Sequence, residues 1–109
     1  MNTNRLIVFC TCPDRETALR LAETLVDREL AACANVVPGL TSVYRWQGRR
    51  ETAEESLLLI KTRADAYPEL EEAIRALHPY ELPEIIAVPI EQGLAAYLAW
   101  IDNGVRINK

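Results

Sequence analysis

The chain has 109 residues, about half of them apolar, and a net charge of −4. This length and composition predict a single globular domain over residues 1–109 and argue against a disordered chain or a coiled coil. The acidic balance argues against nucleic acid as a partner, because nucleic-acid binding draws on basic surface.

The distribution of apolar residues and cysteines bears on the compartment. No apolar run is long enough to cross a bilayer, and the first residues do not form a secretory signal, so no membrane partner is expected. The three cysteines are an odd number, which argues against a disulfide framework. We therefore expect a cytoplasmic protein with free thiols.

The first half of the chain predicts a strand, a helix and a long second strand. Asp14 follows the first strand and is the expected N-cap of the helix, whose apolar residues recur at helical spacing. Pro38 and Gly39 interrupt the second strand and indicate a turn or a bulge. The predicted ranges are 5–11 for the first strand, 15 to about 28 for the helix, and 32–37 with 40–46 for the second strand.

The second half predicts a returning strand, a helix, a strand and a last helix. Residues 47–50 form the expected hairpin tip. Asp65 is the expected cap of the next helix, Pro68 is tolerated in its first turn, and Pro79 ends it. The predicted strands are 55–62 and 84–89, the last helix lies around 94–101, and residues 105–107 are a candidate edge strand.

This order of elements predicts an α+β fold, the ferredoxin-like split β-α-β sandwich, with a long β-hairpin and an extra C-terminal helix. In such a fold both main helices lie on one face of the sheet, and the strands should alternate apolar and polar residues. Residues 6–9, 57–60 and 85–88 are instead apolar on both faces. We expect other subunits to cover the second face; the alternative is that the C-terminal helix folds back over it.

Two cysteines and one histidine are the candidate metal ligands. Cys10 and Cys12 are two apart on one strand, so both side chains point to the same face, where two sulfurs suit a soft metal such as copper(I). Cys10 is alternatively a small core residue, and burial is also expected for Cys33. His78 is the only histidine and follows a helix end, which would favour its protonated form.

Three further residues are candidate contacts for another ligand. Tyr80 and Glu84 lie in a proline-stiffened stretch that either faces a ligand or simply connects two elements. Lys61 lies near a strand end, where it either binds an anion or is solvated.

Five segments in order along nearly the whole chain resemble the CutA divalent-cation tolerance family. They are residues 30–35, 38–39 with 42–48, 60–62, 78–86 and 97–101. The resemblance implies a ferredoxin-like homotrimer, similar in architecture to the PII signalling proteins, whose long hairpins extend between subunits. It also implies a role in tolerance of divalent cations, copper in particular. From the chemistry of the candidate ligands we expect zinc to bind as well, more weakly than copper.

The resemblance further implies copper ligands at Cys10 and His78. Some members carry a His-His pair at this point, whereas this chain has Leu77 before His78, and Cys12 is the candidate substitute. The alternative function is that of a PII-like trimer that binds a small metabolite or nucleotide between its subunits.

Other functions on this topology lack their residues here. The loop after the first strand is not glycine-rich and carries Asp14, which would repel the phosphate of an acyl phosphate, and no nucleophile adjoins the histidine. An RNA-recognition module needs exposed aromatics on its central strands. A metallochaperone carries two cysteines one residue further apart than Cys10 and Cys12. We therefore expect no enzymatic activity.

Overall fold

The computed structural model describes residues 4–106, which form four strands and three α-helices in the predicted order. A short 3-10 turn at Ala64–Ala66 precedes the second helix. The elements are β1 (Arg5–Cys12), α1 (Arg15–Asp27), β2 (Cys33–Trp46), β3 (Arg49–Arg63), α2 (Tyr67–Leu77), β4 (Ile86–Pro89) and α3 (Ala95–Gly104).

The strands form one antiparallel sheet in the order β2-β3-β1-β4. The β-α-β-β-α-β connectivity with this order is the split β-α-β arrangement. The predicted α+β fold class is therefore confirmed. Within residues 4–106, no helix combines the length and apolarity needed to cross a membrane.

The start of α1 follows the prediction, whereas the start of α2 does not. Oδ1 of Asp14 accepts a hydrogen bond from the Thr17 N–H at 2.8 Å, and this bond lowers the pKa of the Asp14 carboxyl. The expected cap at Asp65 is wrong, because the 3-10 turn intervenes and α2 begins without a side-chain cap. The Asp65 carboxylate instead pairs with Arg63 at 3.1 Å. As predicted, α2 ends before Pro79.

Three strand predictions need correction. β3 begins at Arg49 rather than residue 55, because its polar outer part pairs with β2 despite giving no apolar signal. β4 begins at Ile86 rather than Glu84. Val105 and Arg106 form no strand; the Arg106 N–H donates to the Glu29 carbonyl at 2.8 Å. Ile107 lies outside the described residues.

The β2–β3 hairpin is long and contains one irregularity. Its pairing register shifts between Val37 and Leu40, at the predicted interruption. Val37 pairs with Leu57 and Leu40 pairs with Glu55, and directly paired side chains lie on the same face of the sheet. The β2 side chains on the face of Leu57 are therefore odd-numbered up to Val37 and even-numbered from Leu40 onward. Tyr44 and Trp46 thus share a face with Leu57 and Leu59.

The core lies between one face of the sheet and the first two helices. Val8, Cys10, Leu58 and Ile60 are fully buried with the apolar stripe of α1 and with α2. The other face, called the open face here, carries the intervening side chains of the strands. These are Ile7, Phe9, Leu57, Leu59, Ile86 and Val88.

The helix α3 covers only one end of the open face. Asp102 pairs there with Arg5, and Ile101 is fully buried. The remaining part is accessible: Ile86 and Val88 are 56% and 43% exposed. The alternative that α3 covers the whole second face is therefore wrong.

Candidate functional site

Cys10 and Cys12 occupy alternate positions at the end of β1 and point into the core. Both side chains are fully buried, and both cysteines are free thiols. The prediction that they share one face of the strand is confirmed. The last residues of β1 thus bring two sulfur atoms together beneath the helices.

His78 follows the last residue of α2 and is also buried. Its Nδ1 accepts a hydrogen bond from the Tyr80 backbone N–H at 3.1 Å, and its Nε2 lies 2.8 Å from the Thr11 carbonyl oxygen. A backbone N–H can only donate and a carbonyl can only accept, so Nδ1 carries the lone pair and Nε2 carries the proton. This arrangement is the neutral imidazole, and the expected protonated form does not fit it.

The two thiols and the imidazole form one compact set, called the Cys–His group here. A ligand atom from each of Cys10, Cys12 and His78 lies within 4.8 Å of the others. Sulfur and imidazole donors suit copper and zinc, whereas calcium and magnesium prefer oxygen. The fold thus brings together the residues that the sequence singled out as candidate metal ligands.

The two buried thiols influence each other's pKa. Interaction with Cys12, together with burial, raises the pKa of Cys10. Interaction with Cys10 lowers the pKa of Cys12, while burial acts in the opposite direction. The Cys10 thiol also donates to the Thr11 carbonyl oxygen at 3.9 Å, so this carbonyl contacts both Cys10 and His78.

A cavity of about 630 Å³ lies between the outer hairpin and the connection from α2 to β4. Glu55 is buried beside it. Its Oε1 accepts from the Ser42 hydroxyl and its Oε2 from the Tyr80 hydroxyl, both at 2.6 Å. The lining residues are Thr11, Ser42, Val43, Tyr44, Arg45, Trp46, Glu55, Tyr80, Glu81, Leu82 and Glu84.

Tyr80 joins this cavity to the Cys–His group. Its backbone N–H bonds His78, and its hydroxyl bonds Glu55. Burial raises the pKa of Tyr80, and the hydrogen bond and charge of Glu55 raise it further, so the hydroxyl stays a donor. Glu84, the other residue predicted in this stretch, is exposed and lines the cavity.

Sequence reasoning missed Glu55 as a site residue. Glu54 and Glu55 form a pair of acids before an apolar run, and nothing local distinguishes them. The difference comes from Tyr80, 25 residues further along, whose hydroxyl reaches Glu55. Alternation along β3 supplies the only sequence signal, since it places Glu55 on the same face as Leu57 and Leu59.

Lys61, Cys33 and Leu77 lie apart from the Cys–His group. Lys61 and Cys33 are paired across the strands on the open face, and the Lys61 ammonium donates to the Asn35 side chain. Cys33 is half-buried, so its expected burial is only partly met. Leu77 is half-exposed on a small groove beside Thr17 and Thr24 of α1.

The comparison with protein families matches residues 6–104 to the CutA1 divalent ion tolerance protein. The chain belongs to the CutA1 family. Divalent-cation tolerance, the function that the resemblance implied, is the function of the family, which is not known as an enzyme.

Individual relatives agree with this assignment. The chain is 52% identical over 95 residues to the divalent-cation tolerance protein CutA of Thermus thermophilus, covering 87% of this chain and 92% of the relative. It is 45% identical over 101 residues to the chloroplastic CutA 1 of Oryza sativa, covering 93% of this chain and 57% of that relative. The chain thus spans little more than half the length of the rice protein.

A solved CutA1 structure has the same fold. The divalent cation tolerance protein from Thermus thermophilus superimposes with a TM-score of 0.92 at 48% identity. The alignment covers 94% of this chain and 99% of that structure. The sheet and helices described above are therefore those of the family.

Proposed function

We propose that this CutA1-family chain contributes to cation tolerance by binding copper, and more weakly zinc, through Cys10 and His78 with Cys12 as a third ligand. The observation that carries the proposal is the convergence of their three ligand atoms within 4.8 Å. The donor set fits the metal: two sulfurs and one imidazole in a buried site favour a soft, thiophilic ion. Cys12 adds a second buried sulfur on the same face of β1 as Cys10.

His78 can act as a ligand only by exchanging a hydrogen bond. Its lone pair on Nδ1 is engaged by Tyr80, and Nε2 donates to Thr11. A ligating imidazole needs a free lone pair, so one of these two bonds must open when the ion binds. We expect the two sulfurs to provide most of the affinity and the imidazole to complete the site.

The Cys–His group does not include the position of Leu77, where some relatives have a second histidine. Leu77 lies half-exposed on the groove next to α1, while the three candidate ligands are buried. The proposed site therefore depends on residues that this chain retains, with Cys12 adding a sulfur.

We further propose that the protein acts as a homotrimer in the cytoplasm. The accessible apolar part of the open face supports assembly, because monomers rarely expose large contiguous apolar patches; the number three comes from the resemblance. The cytoplasm suits three free thiols. The rice relative is chloroplastic by name, which makes fractionation of the native host the decisive measurement for the compartment.

The PII-like alternative draws support from the size of the cavity, which suits a small molecule. Its lining argues against a nucleotide in particular. Glu55, Glu81 and Glu84 would repel phosphate groups, and Arg45 is the only basic residue among the described lining residues.

Anaerobic calorimetry with copper(I), and separately with zinc, tests the metal proposal. Cys10→Ser and Cys12→Ser should each weaken copper binding by at least about tenfold, and His78→Ala by less. Cys33→Ser is the matched control, since Cys33 lies on the other face of the sheet. The proposal falls if the parent binds no metal more tightly than millimolar, or if the Cys33 variant alone loses binding.

A further inference from the structure

Both ring nitrogens of His78 are engaged in hydrogen bonds, and the two bonds lead to different parts of the molecule. Nε2 donates to the Thr11 carbonyl oxygen at 2.8 Å, and the Cys10 sulfur lies 3.9 Å from the same oxygen. Nδ1 accepts from the Tyr80 backbone N–H at 3.1 Å. The imidazole is therefore held between the end of β1 and the turn that follows α2.

Ligation of a metal ion through either nitrogen breaks the bond to Tyr80. If Nδ1 is the ligand, the lone pair that accepts from Tyr80 is taken. If Nε2 is the ligand, a neutral imidazole must carry its proton on Nδ1, where that proton would face the Tyr80 N–H, donor against donor. The bond to Thr11 is lost only in the second case. Release of the Tyr80 N–H is thus common to both routes.

Tyr80 is held in place by contacts besides this bond. Its hydroxyl donates to Oε2 of Glu55 at 2.6 Å, and its ring centroid lies 4.7 Å from that of His78. Pro79 precedes it and has a fixed φ. The peptide between Pro79 and Tyr80 is therefore restrained from both sides, and movement of its N–H away from His78 works against the bond to Glu55.

We infer that Tyr80 is a positioning residue that holds His78 in its metal-free arrangement, and that ligation by His78 displaces the Tyr80 N–H against the anchor on Glu55. The inference rests on the proposed metal site and specifies what must open for His78 to join it. Glu55 lies in β3, and its other oxygen accepts from Ser42 of β2. One side chain thereby connects the occupancy of a site in the core to the β2–β3 hairpin.

Amide hydrogen exchange, measured by NMR on the full chain with and without copper(I) under anaerobic conditions, tests the displacement. A ligand that binds the folded state stabilises it, so most core amides should exchange more slowly when copper(I) is bound. The Tyr80 amide should instead exchange at least about tenfold faster, because its acceptor is lost. The Thr17 N–H also bonds a side-chain acceptor, Oδ1 of Asp14, and is the matched control that should not accelerate.

Tyr80→Phe removes the anchor and keeps both the ring and the backbone N–H. It should bind copper(I) about fivefold more tightly than the parent, the equivalent of one ordinary hydrogen bond. Ser42→Ala removes the other hydroxyl bond to Glu55 and leaves Tyr80 intact, so it should bind copper(I) as the parent does. Calorimetry measures the three affinities.

Copper(I) binding that leaves the Tyr80 amide protected overturns the inference and leaves the proposed function in place. The same conclusion follows if Tyr80→Phe binds no more tightly than the parent, or if Ser42→Ala gains as much affinity. Absence of saturable copper(I) binding by the parent overturns the proposed function, and the inference with it.

Discussion

Arg5 and Asp102 lie 97 positions apart and form a two-point ion pair, Nε to Oδ1 at 3.0 Å and Nη2 to Oδ2 at 2.6 Å. The pair joins the start of β1 to the last helix. Parallel contacts of a guanidinium with both carboxylate oxygens are the strongest form of this interaction. The pair therefore fixes α3 over one end of the open face.

Asp102→Asn should lower the midpoint of thermal unfolding at neutral pH by at most a few degrees, because both side chains are partly exposed. The hydrogen bond from Arg5 lowers the pKa of Asp102. A carboxyl with a lowered folded pKa contributes stability above its unfolded value, about 3.9, and loses it as the pH falls through the folded value. The parent and the variant should therefore converge in acid.

Calorimetric scans at pH 7 and in acid check this expectation. Glu29→Gln is the comparison, since it removes the more exposed and longer pair with Arg106 at 3.2 Å. It should change the midpoint less than Asp102→Asn does. Equal effects of the two variants at neutral pH would contradict the role given to the Arg5 pair.

A charge on the open face should separate assembly from folding. Leu59 is partly exposed there, and Leu58 is fully buried in the core. Leu59→Glu should give a folded protein of reduced molar mass. Leu58→Glu should lose several kcal/mol of stability, since it buries an unpaired charge. Light scattering coupled to size exclusion, together with circular dichroism, distinguishes the two results.

The parent chain of 12.3 kDa should have three times this mass in solution. A parent that elutes as a single chain would contradict the inference that other subunits cover the open face. A stable dimer would contradict only the number of subunits, which comes from the resemblance. If Leu59→Glu leaves the mass unchanged, the partner does not contact this part of the sheet.

The hairpin turn provides a test of local backbone geometry. Gln47 and Gly48 both have positive φ, 53° and 80°, as a two-residue type I′ turn requires. Gly48→Ala should cost about 1 kcal/mol, a purely conformational effect because no atom lies within 4 Å of the added carbon. Gln47→Asn should instead be neutral or stabilising, because asparagine tolerates this region better.

Urea unfolding of both turn variants checks this prediction. The slope of the unfolding free energy against urea should stay constant, because the exposed surface does not change. A Gly48→Ala variant as stable as the parent would mean that the turn adopts another conformation in solution.

Copper binding should weaken as the pH falls, because protons compete with the metal for the nitrogen and sulfur donors. Each thiol that binds the ion must release its proton, so Cys12→Ala should release fewer protons on binding and show a less steep dependence on pH. Calorimetry across a pH series measures the parent and the variant. Identical pH profiles would contradict the assignment of Cys12 as a ligand.

Local patterns predicted most of the fold and part of the site. Asp14 was identified as a cap because its helix begins directly after it, whereas Asp65 failed because a 3-10 turn follows it. Strand alternation sufficed to place Cys10 and Cys12 on one face. The neutral state of His78 depends on Thr11 and Tyr80, and the burial of Glu55 depends on Tyr80, so no local pattern in the sequence could reveal them.

The bulge after Val37 gives β2 one residue more than β3 between the two halves of the hairpin, with Pro38 and Gly39 against Ser56. Deletion of Pro38 or Gly39 would restore regular alternation and leave Leu40 opposite Glu55, so Tyr44 and Trp46 would keep their face of the sheet. A bulge bends its strand and increases the local twist, so the deletion would change the direction in which the outer half of the hairpin leaves the sheet. The extra residue therefore sets the angle between the two halves of the hairpin, and the choice of side chains on each face does not depend on it.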